Sequence, residues 1–475
     1  MATDQTQENA ASGEFERQPV PKSSLLGFRS FIGMYAGEHC AGTELLIGPM
    51  FVAAGVSAFD LVVGLILGNL LAVISWMVLC APIATRSRLT LYYQLEKICG
   101  RNLVTLYNLA NGVMFCFLAG AMITVSATAL GVWIKFPMPE LNQLMPNSVG
   151  WVIASGAVGL LIALVAALGY RTVAKFANIA APWMVLVFLA FGLVALRNFI
   201  NTSGQQVNSL GELWTFSKDY IWTGGDAIPG QTKFTFWHVM FFAWFCNMAM
   251  HVGMSDLSVF RFAKKSWYAS ASAAGMFVGH FMAWIAASLL FALPMYVFLR
   301  SHDATSLSDL LAKNQIENQT QWDSYASTKI DKETGKIIGE WPRDYQAWVD
   351  AGSPAGEEPP QPMPSIAAGP LAAEACGLVG LLCVIIAGWT TANPTIYRAG
   401  LAFQAIIPKS NRAVVTFCTG VVATIVGIFP AVAMKLLDFV ALYGLLLMPM
   451  GAVIFVDFWL YPKLGLKQYF AEKKG

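Results

Sequence analysis

Residues 37–44 read Gly37-Glu38-His39-Cys40-Ala41-Gly42-Thr43-Glu44, set inside an otherwise apolar run from 31 to 55. Two acids, a histidine, a threonine and two glycines make a poor lipid-facing helix. Hydrocarbon offers no hydrogen bonds, so backbone leaves a helix at membrane depth only where protein or a cavity satisfies it. The stretch predicts a break that lines an interior site. A second stretch, Cys246-Asn247-Met248-Ala249-Met250-His251-Val252-Gly253-Met254-Ser255-Asp256, repeats the theme. In both, a histidine precedes an acid by five residues with a glycine between, His39 to Glu44 and His251 to Asp256.

The surroundings say what medium these stretches occupy. Of 475 residues 56% are hydrophobic and only 12% charged, with a net charge of +2. Soluble domains carry about 25% charged residues, so a soluble enzyme, a disordered chain and a nucleic-acid binder are excluded. The eight cysteines lie in or beside apolar runs, and none forms a C-x-x-C pair; they read as small hydrophobes rather than a disulfide or metal framework. A membrane helix takes roughly 20 apolar residues. Ten runs qualify: 31–55, 61–83, 103–133, 149–168, 176–196, 234–253, 269–298, 367–388, 414–429 and 436–460.

Basic residues then orient the chain, because cytoplasmic loops are rich in Lys and Arg. Arg86, Arg88, Lys97 and Arg101 follow span 2; Arg171 and Lys175 follow span 4; Arg261, Lys264 and Lys265 follow span 6; Arg398, Lys409 and Arg412 follow span 8. With ten spans these clusters share one side, and both termini are expected in the cytoplasm of a plasma-membrane protein. The expected organisation is a cytoplasmic tail 1–28, a five-helix repeat 29–200, an outer link 201–233, a second five-helix repeat 234–460 with an outer loop 299–365, and a cytoplasmic tail 461–475. Trp322, Trp341 and Trp348 make that outer loop a folded cap.

Ionisable residues inside spans mark functional sites by default. Here they are Glu38, His39, Glu44, His251, Asp256, His280, Glu374 and Asp438, with no Lys or Arg at the middle of any span. An acidic interior without basic partners attracts a cation or carries protons. The two broken spans, 1 and 6, are the first helices of the two halves, and paired interruptions at corresponding positions point to an inverted-repeat transporter. The fold class expected is an all-α polytopic membrane protein: ten transmembrane helices in a five-plus-five inverted repeat.

Three further stretches carry a family resemblance. Gly64-Leu65-Ile66-Leu67-Gly68-Asn69-Leu70-Leu71 resembles the second helix of the nucleobase:cation symporters, the purine–cytosine permease and hydantoin transporter family. Met254-Ser255-Asp256-Leu257-Ser258-Val259-Phe260-Arg261-Phe262-Ala263-Lys264 resembles the segment after that family's helix 6. Ala387-Gly388-Trp389-Thr390-Thr391-Ala392-Asn393, followed by Ile396-Tyr397-Arg398-Ala399-Gly400-Leu401, resembles its helix 8. The resemblance implies the leucine-transporter type of fold, alternating access and coupling to sodium or protons. It also implies a sodium ion between helix 1 carbonyls at the break, here around Gly37 and Cys40, and helix 8 groups, here the Ala387 carbonyl and the Thr390 and Thr391 hydroxyls.

A planar heterocycle needs an aromatic face and an amide or acid at its edge. Glu38, His39, Phe117, Trp244, Asn247 and Asn393 are the candidates, with Phe115 and Phe117 near the place of the family's third-helix tryptophan and Asn111 a further interior amide. The expected function is cation-coupled import of a nucleobase-like solute, with a small molecule and the bilayer as partners, no nucleic acid and no cofactor beyond the coupling ion. A transporter of amino acids or amines is the alternative, suggested by Glu38. A metal enzyme built on Glu38, His39, His251 and His280 lacks any ligand motif of fixed spacing such as H-E-x-x-H.

Overall fold

The computed structural model describes residues 14–139, 143–251, 253–326, 329–330, 337–338, 363–364, 367–407 and 409–474, with backbone alone at 247–251, 329–330, 337–338, 434, 436–441, 443 and 473–474. All ten expected spans are helical. Span 1 is two helices, Arg29–His39 and Glu44–Ala53. Span 2 is Ala58–Ser87, span 3 Arg101–Ile134, span 4 Val149–Ala167 and span 5 Tyr170–Ser203. Span 6 is Phe236–His251, span 7 Ser266–Ser301, span 8 Ala368–Ile406, span 9 Arg412–Gly427 and span 10 Leu436–Phe455, prolonged by a widened turn Val456–Leu460. Side chains start several of them: Ser57, Ser148 and Asn411 accept the first free N–H groups of spans 2, 4 and 9, as N-caps do.

The packing partners follow the repeat. Spans 3 and 8 pair at the centre and spans 4 and 9 pair beside them. Span 2 packs on span 6 and span 7 on the second half of span 1; the first half of span 1 packs on span 5 and span 6 on span 10. Shifting each number by five within the ten spans turns 2–6 into 7–1 and 1–5 into 6–10, and leaves 3–8 and 4–9 unchanged. Five helices per half is odd, so the halves are inverted. In lipid no hydrophobic force pulls helices together, and small residues permit close contact instead. Gly64 and Gly68 supply it for spans 2 and 6: a Cβ at Gly64 would lie 2.9 Å from Val239, and one at Gly68 would strike the Met240 carbonyl. Outward, spans 2, 4 and 5 present Ile66, Leu70, Leu161, Leu164, Leu186 and Leu193 to the surroundings.

Both breaks are present. Span 1 leaves helical geometry at Cys40 (φ −96°, ψ 52°) and resumes at Glu44. Span 6 stops at His251 and turns through Met254, which holds a left-handed φ of 66°, before a short helix Leu257–Phe260.

Span 8 differs from expectation. The helix runs to Ile406, well past the expected end at 388, and kinks at Cys376 and Gly377, where φ is 53° at the glycine. The polar run from Thr390 to Arg398 ends the apolar window but not the helix, because Thr390, Thr391, Thr395, Tyr397 and Arg398 find partners inside the protein. Thr390 and Thr391 therefore lie in mid-helix, not near an end, at the depth of the span 1 break.

The link beyond span 7 begins with helices Leu307–Lys313 and Gln319–Ala326. Trp322 is buried there with Phe298 and Leu310; Trp341 and Trp348 lie outside the described residues. At the opposite end, residues 14–20 are not a free tail. They form a strap sunk into the molecule, with Glu14, Phe15, Glu16 and Val20 all buried.

Candidate ion and substrate site

The span 1 break and span 8 meet at one hydroxyl. Thr391 Oγ1 donates within reach of two carbonyls, Glu38 O at 3.2 Å and Ala387 O at 3.2 Å. Thr390 Oγ1 also reaches Ala387 O, at 3.0 Å, but its other neighbour is Met184 Sδ in span 5. Pro394 has no N–H for the Thr390 carbonyl, and Thr395 Oγ1 takes the Thr391 carbonyl at 2.8 Å. Gly42 lets the break sit against span 3, where a Cβ would lie 2.8 Å from Val125 Cγ1, while Val384 O and Gly388 N of span 8 lie at ordinary contact distance, 3.5 and 3.6 Å. Two carbonyls and a hydroxyl thus converge between the two elements. The oxygen on the span 1 side belongs to Glu38, between Gly37 and Cys40.

The Glu38 side chain points elsewhere. Arg398 Nη1 donates to Glu38 Oε1 at 2.6 Å and Arg398 Nη2 to Glu38 Oε2 at 3.3 Å; the same Nη2 donates to Asp256 Oδ1 at 2.6 Å. Arg398 and Asp256 are buried, at 0% and 1% exposure. One guanidinium therefore locks together the end of the first half of span 1, the turn after the span 6 break, and span 8. This corrects two expectations. The interior is not without a basic partner, and Glu38 is not a free acid for a ring N–H or an amine. The guanidinium was missed because Arg398 falls past the apolar window, among loop charges. Its signal was the seven-residue spacing from Thr391, two helical turns on the same face.

Around this lock lies a second buried layer that holds the strap. Arg261, also fully buried, donates to the Phe15 carbonyl at 2.7 Å and to the Glu14 carbonyl at 2.6 Å. The Glu14 carboxylate accepts from the Tyr397 hydroxyl at 2.6 Å and the Tyr170 amide at 2.8 Å. Arg412 Nε lies 3.5 Å from Glu16, and Thr90 donates to the Glu16 carbonyl at 3.1 Å. Asn111 joins the same end through Tyr92, whose hydroxyl donates to the Arg398 carbonyl at 3.0 Å.

The other expected residues are scattered. Trp244 is half-buried, donates its indole N–H to Ser75 at 3.1 Å, and stacks with Phe241 and Phe245; its place is helix packing against span 2. Phe117 is half-buried on span 3. Asn393 is fully buried, and neither amide atom has a hydrogen-bond partner among the described residues. It stands two residues past Thr391, about 200° around the helix, so it faces away from span 1. The side chains of Asn247, His251 and Asp438 lie outside the described residues. Glu374 is exposed. His39 Nδ1 donates to the Tyr35 carbonyl, 2.8 Å away, and the ring lies against His280.

No protein-family model matches the chain, and no curated protein matches it in sequence. Solved structures do. A Na+-coupled sialic acid symporter in a substrate-bound outward-open state matches 96% of this chain and 82% of its own, at 13% identity and a TM-score of 0.56. Mhp1, a nucleobase-cation-symport-1 family transporter, in a closed conformation with bromovinylhydantoin bound, matches 98% of this chain and 84% of its own, at 15% identity and a TM-score of 0.55. MhsT in complex with L-phenylalanine matches 97% and 93%, at 12% identity and a TM-score of 0.53. The chain has the fold these proteins share: an all-α polytopic membrane protein of two inverted five-helix halves.

Proposed function

We propose that this chain is a cation-coupled secondary transporter that imports a small nitrogenous, nucleobase-like solute by alternating access, with sodium held where span 1 breaks against span 8. The reading rests above all on the Thr391 hydroxyl, which lies between the Glu38 and Ala387 carbonyls. Sodium is a hard cation that takes oxygen ligands, and broken helices supply carbonyls at mid-membrane. Ala387, Thr391 and the Gly37–Cys40 backbone are the proposed ligands. Thr390 supports the Ala387 carbonyl from the side.

The solute class follows from the motif resemblance in spans 2, 6 and 8 and accords with the hydantoin bound by Mhp1. Glu38 counts against the cationic-amine alternative, because Arg398 already neutralises its carboxylate. His39, Phe117 and Asn247 are the proposed solute contacts. The orientation proposed has both termini and the basic loops in the cytoplasm, with the chain in the plasma membrane.

A thermal-shift matrix on purified protein tests the reading. Nucleobases, hydantoins, amino acids and amines are each tried with and without sodium, since a ligand of the native state raises its stability. Expected is a sodium-dependent shift with a nucleobase or hydantoin. A shift only with amines or amino acids overturns the solute class, and no sodium effect overturns the ion.

A further inference from the structure

We propose that the segment 462–470, just beyond span 10, anchors anionic phospholipid headgroups of the adjoining leaflet, and that lipid seated there steadies the helix on which the strap also rests. This goes beyond the transporter reading and uses only the orientation given there, which makes the leaflet the cytoplasmic one.

The segment begins where the apolar span ends. Phe458 and Trp459 lie in the last turn of span 10, with the Arg86 guanidinium of span 2 at 5.6 and 5.8 Å from their ring centres. The Trp459 indole donates to the Leu79 carbonyl at 2.9 Å. Aromatic rings and basic groups gather at the level of lipid headgroups on the cytoplasmic side. The chain then turns back. Gly465 takes a left-handed φ of 69°, and the Leu466 amide donates to the Tyr461 carbonyl at 2.8 Å. Buried Asp457 pins the return: its Oδ1 accepts from the Tyr469 amide and its carbonyl from Gln468 Nε2, both at 3.0 Å.

This fixed turn suits neither water nor hydrocarbon alone. Leu464, Leu466 and Phe470 are 68%, 52% and 53% exposed, and the exposed Lys463 and Lys467 are interleaved with them. Among the described residues no carboxylate pairs with either lysine. The exposed acid nearby, Glu472, is already engaged by Lys97 at 2.9 Å. Water disfavours three large apolar side chains held out so close together, and hydrocarbon disfavours two ammonium groups. The boundary between acyl chains and anionic headgroups accepts both: the apolar side chains enter the chains, and the lysines meet phosphate.

The same segment reaches the strap through one helix. Helix Phe470–Lys474 packs on helix Leu91–Cys99. Lys97 of the latter lies 5.3 Å from the ring centre of Tyr469 and 5.4 Å from that of Tyr93. The strap uses the same helix: Arg17 Nη2 donates to Glu96 at 2.9 Å, and its guanidinium lies 5.1 Å from the Tyr93 ring centre. Tyr93 is therefore shared by the cation that holds the segment and the cation that holds the strap. A ligand that favours the docked position of this helix favours the docked strap with it.

The test uses the full-length protein in nanodiscs of phosphatidylcholine, with or without phosphatidylglycerol. It reads the phosphatidylglycerol retained after detergent extraction, the melting temperature, and hydrogen exchange of residues 14–20. Wild type should retain phosphatidylglycerol in preference to phosphatidylcholine, melt higher with it, and exchange more slowly at 14–20. Lys463→Gln with Lys467→Gln should lower the preference by about tenfold or more, since each lysine at an anionic surface is worth about fivefold. Lys264→Gln with Lys265→Gln, in the exposed turn after span 6, should lower it far less. Leu464→Ser with Leu466→Ser should weaken retention as well. Tyr93→Leu should keep retention and lose the lipid-dependent slowing at 14–20. Retention indifferent to Lys463 and Lys467, or equal loss in the two lysine pairs, overturns the anchor. A melting shift reproduced by inorganic phosphate gives the lysines to a soluble anion and overturns it. A melting temperature that follows protein concentration in place of phosphatidylglycerol gives the face to a second copy and overturns it too. Wild-type exchange at 14–20 that ignores phosphatidylglycerol overturns the link to the strap. These readouts need neither solute nor sodium, so they stand or fall apart from the transport reading.

Discussion

Replacing Arg398 by methionine should be the most damaging single change in the protein's interior. The guanidinium makes three charge-assisted contacts, two to Glu38 and one to Asp256, at 2.6 to 3.3 Å. Removing one partner of a buried ion pair costs about 3–5 kcal/mol, because the remaining charge stays buried. Here two carboxylates are stranded, so the upper half of that range is expected. The same reasoning predicts repair. Arg398→Met combined with Glu38→Met and Asp256→Leu leaves no stranded charge, and such apolar replacements of a buried ion cluster are often nearly free of cost. Arg398→Lys should be intermediate, since a single ammonium cannot grip Glu38 bidentately and reach Asp256 as well. Reversible unfolding in mixed micelles measures all of these. If Arg398→Met unfolds within about 1 kcal/mol of wild type, or if the triple variant is no better than the single one, the charge lock does not carry the load assigned to it.

Thr391→Val should abolish the sodium-induced stability shift, whereas Thr390→Val, whose hydroxyl bonds among the described residues to its own helix and to Met184, should weaken it far less; thermal shifts over a sodium series compare them. Gly279→Ala should destabilise by about 1–3 kcal/mol through overpacking against His39, read in the same unfolding assay. Trp244→Ala should lower stability by about 3 kcal/mol or more while solute affinity, measured on the folded fraction, stays unchanged. Ser324→Cys should label with a membrane-impermeant thiol reagent in intact cells; protection would reverse the proposed orientation.

The scaffold was legible because it depends on solvent. Apolar run length, polar interruptions and loop charge respond to the bilayer one segment at a time, so ten spans and two breaks could be read from neighbours in sequence. Thr391 and Ala387 were legible through a short motif, and the structure brings them to Glu38 O. What failed to show was long-range pairing. Arg398 and Arg261 look like loop charges in sequence because a hydropathy window cannot see the carboxylates 142 and 360 positions from Arg398 or the carbonyls 246 and 247 positions from Arg261. Trp244 looked like a solute platform because an aromatic ring has the same signature whether it packs on a helix or on a ligand. Glu44 was visible as an interior acid, but its partners Trp284 and His280 are set by the way Gly275 and Gly279 seat span 7.

The strap from Glu14 to Val20 gives its end of the molecule an unusual mechanical character. It is fastened to Tyr170 of span 5, to Arg261 beyond the span 6 break, to Tyr397 of span 8 and to Thr90 between spans 2 and 3. Those elements belong to both halves of the repeat. Any rocking of one half against the other that opens this end must strip the strap from at least one side, and each tie loosened exposes a neighbour. The release is a zipper with a threshold rather than a gradual yielding. In the alternating-access cycle proposed above, opening at that end waits on the undoing of residues 14–20.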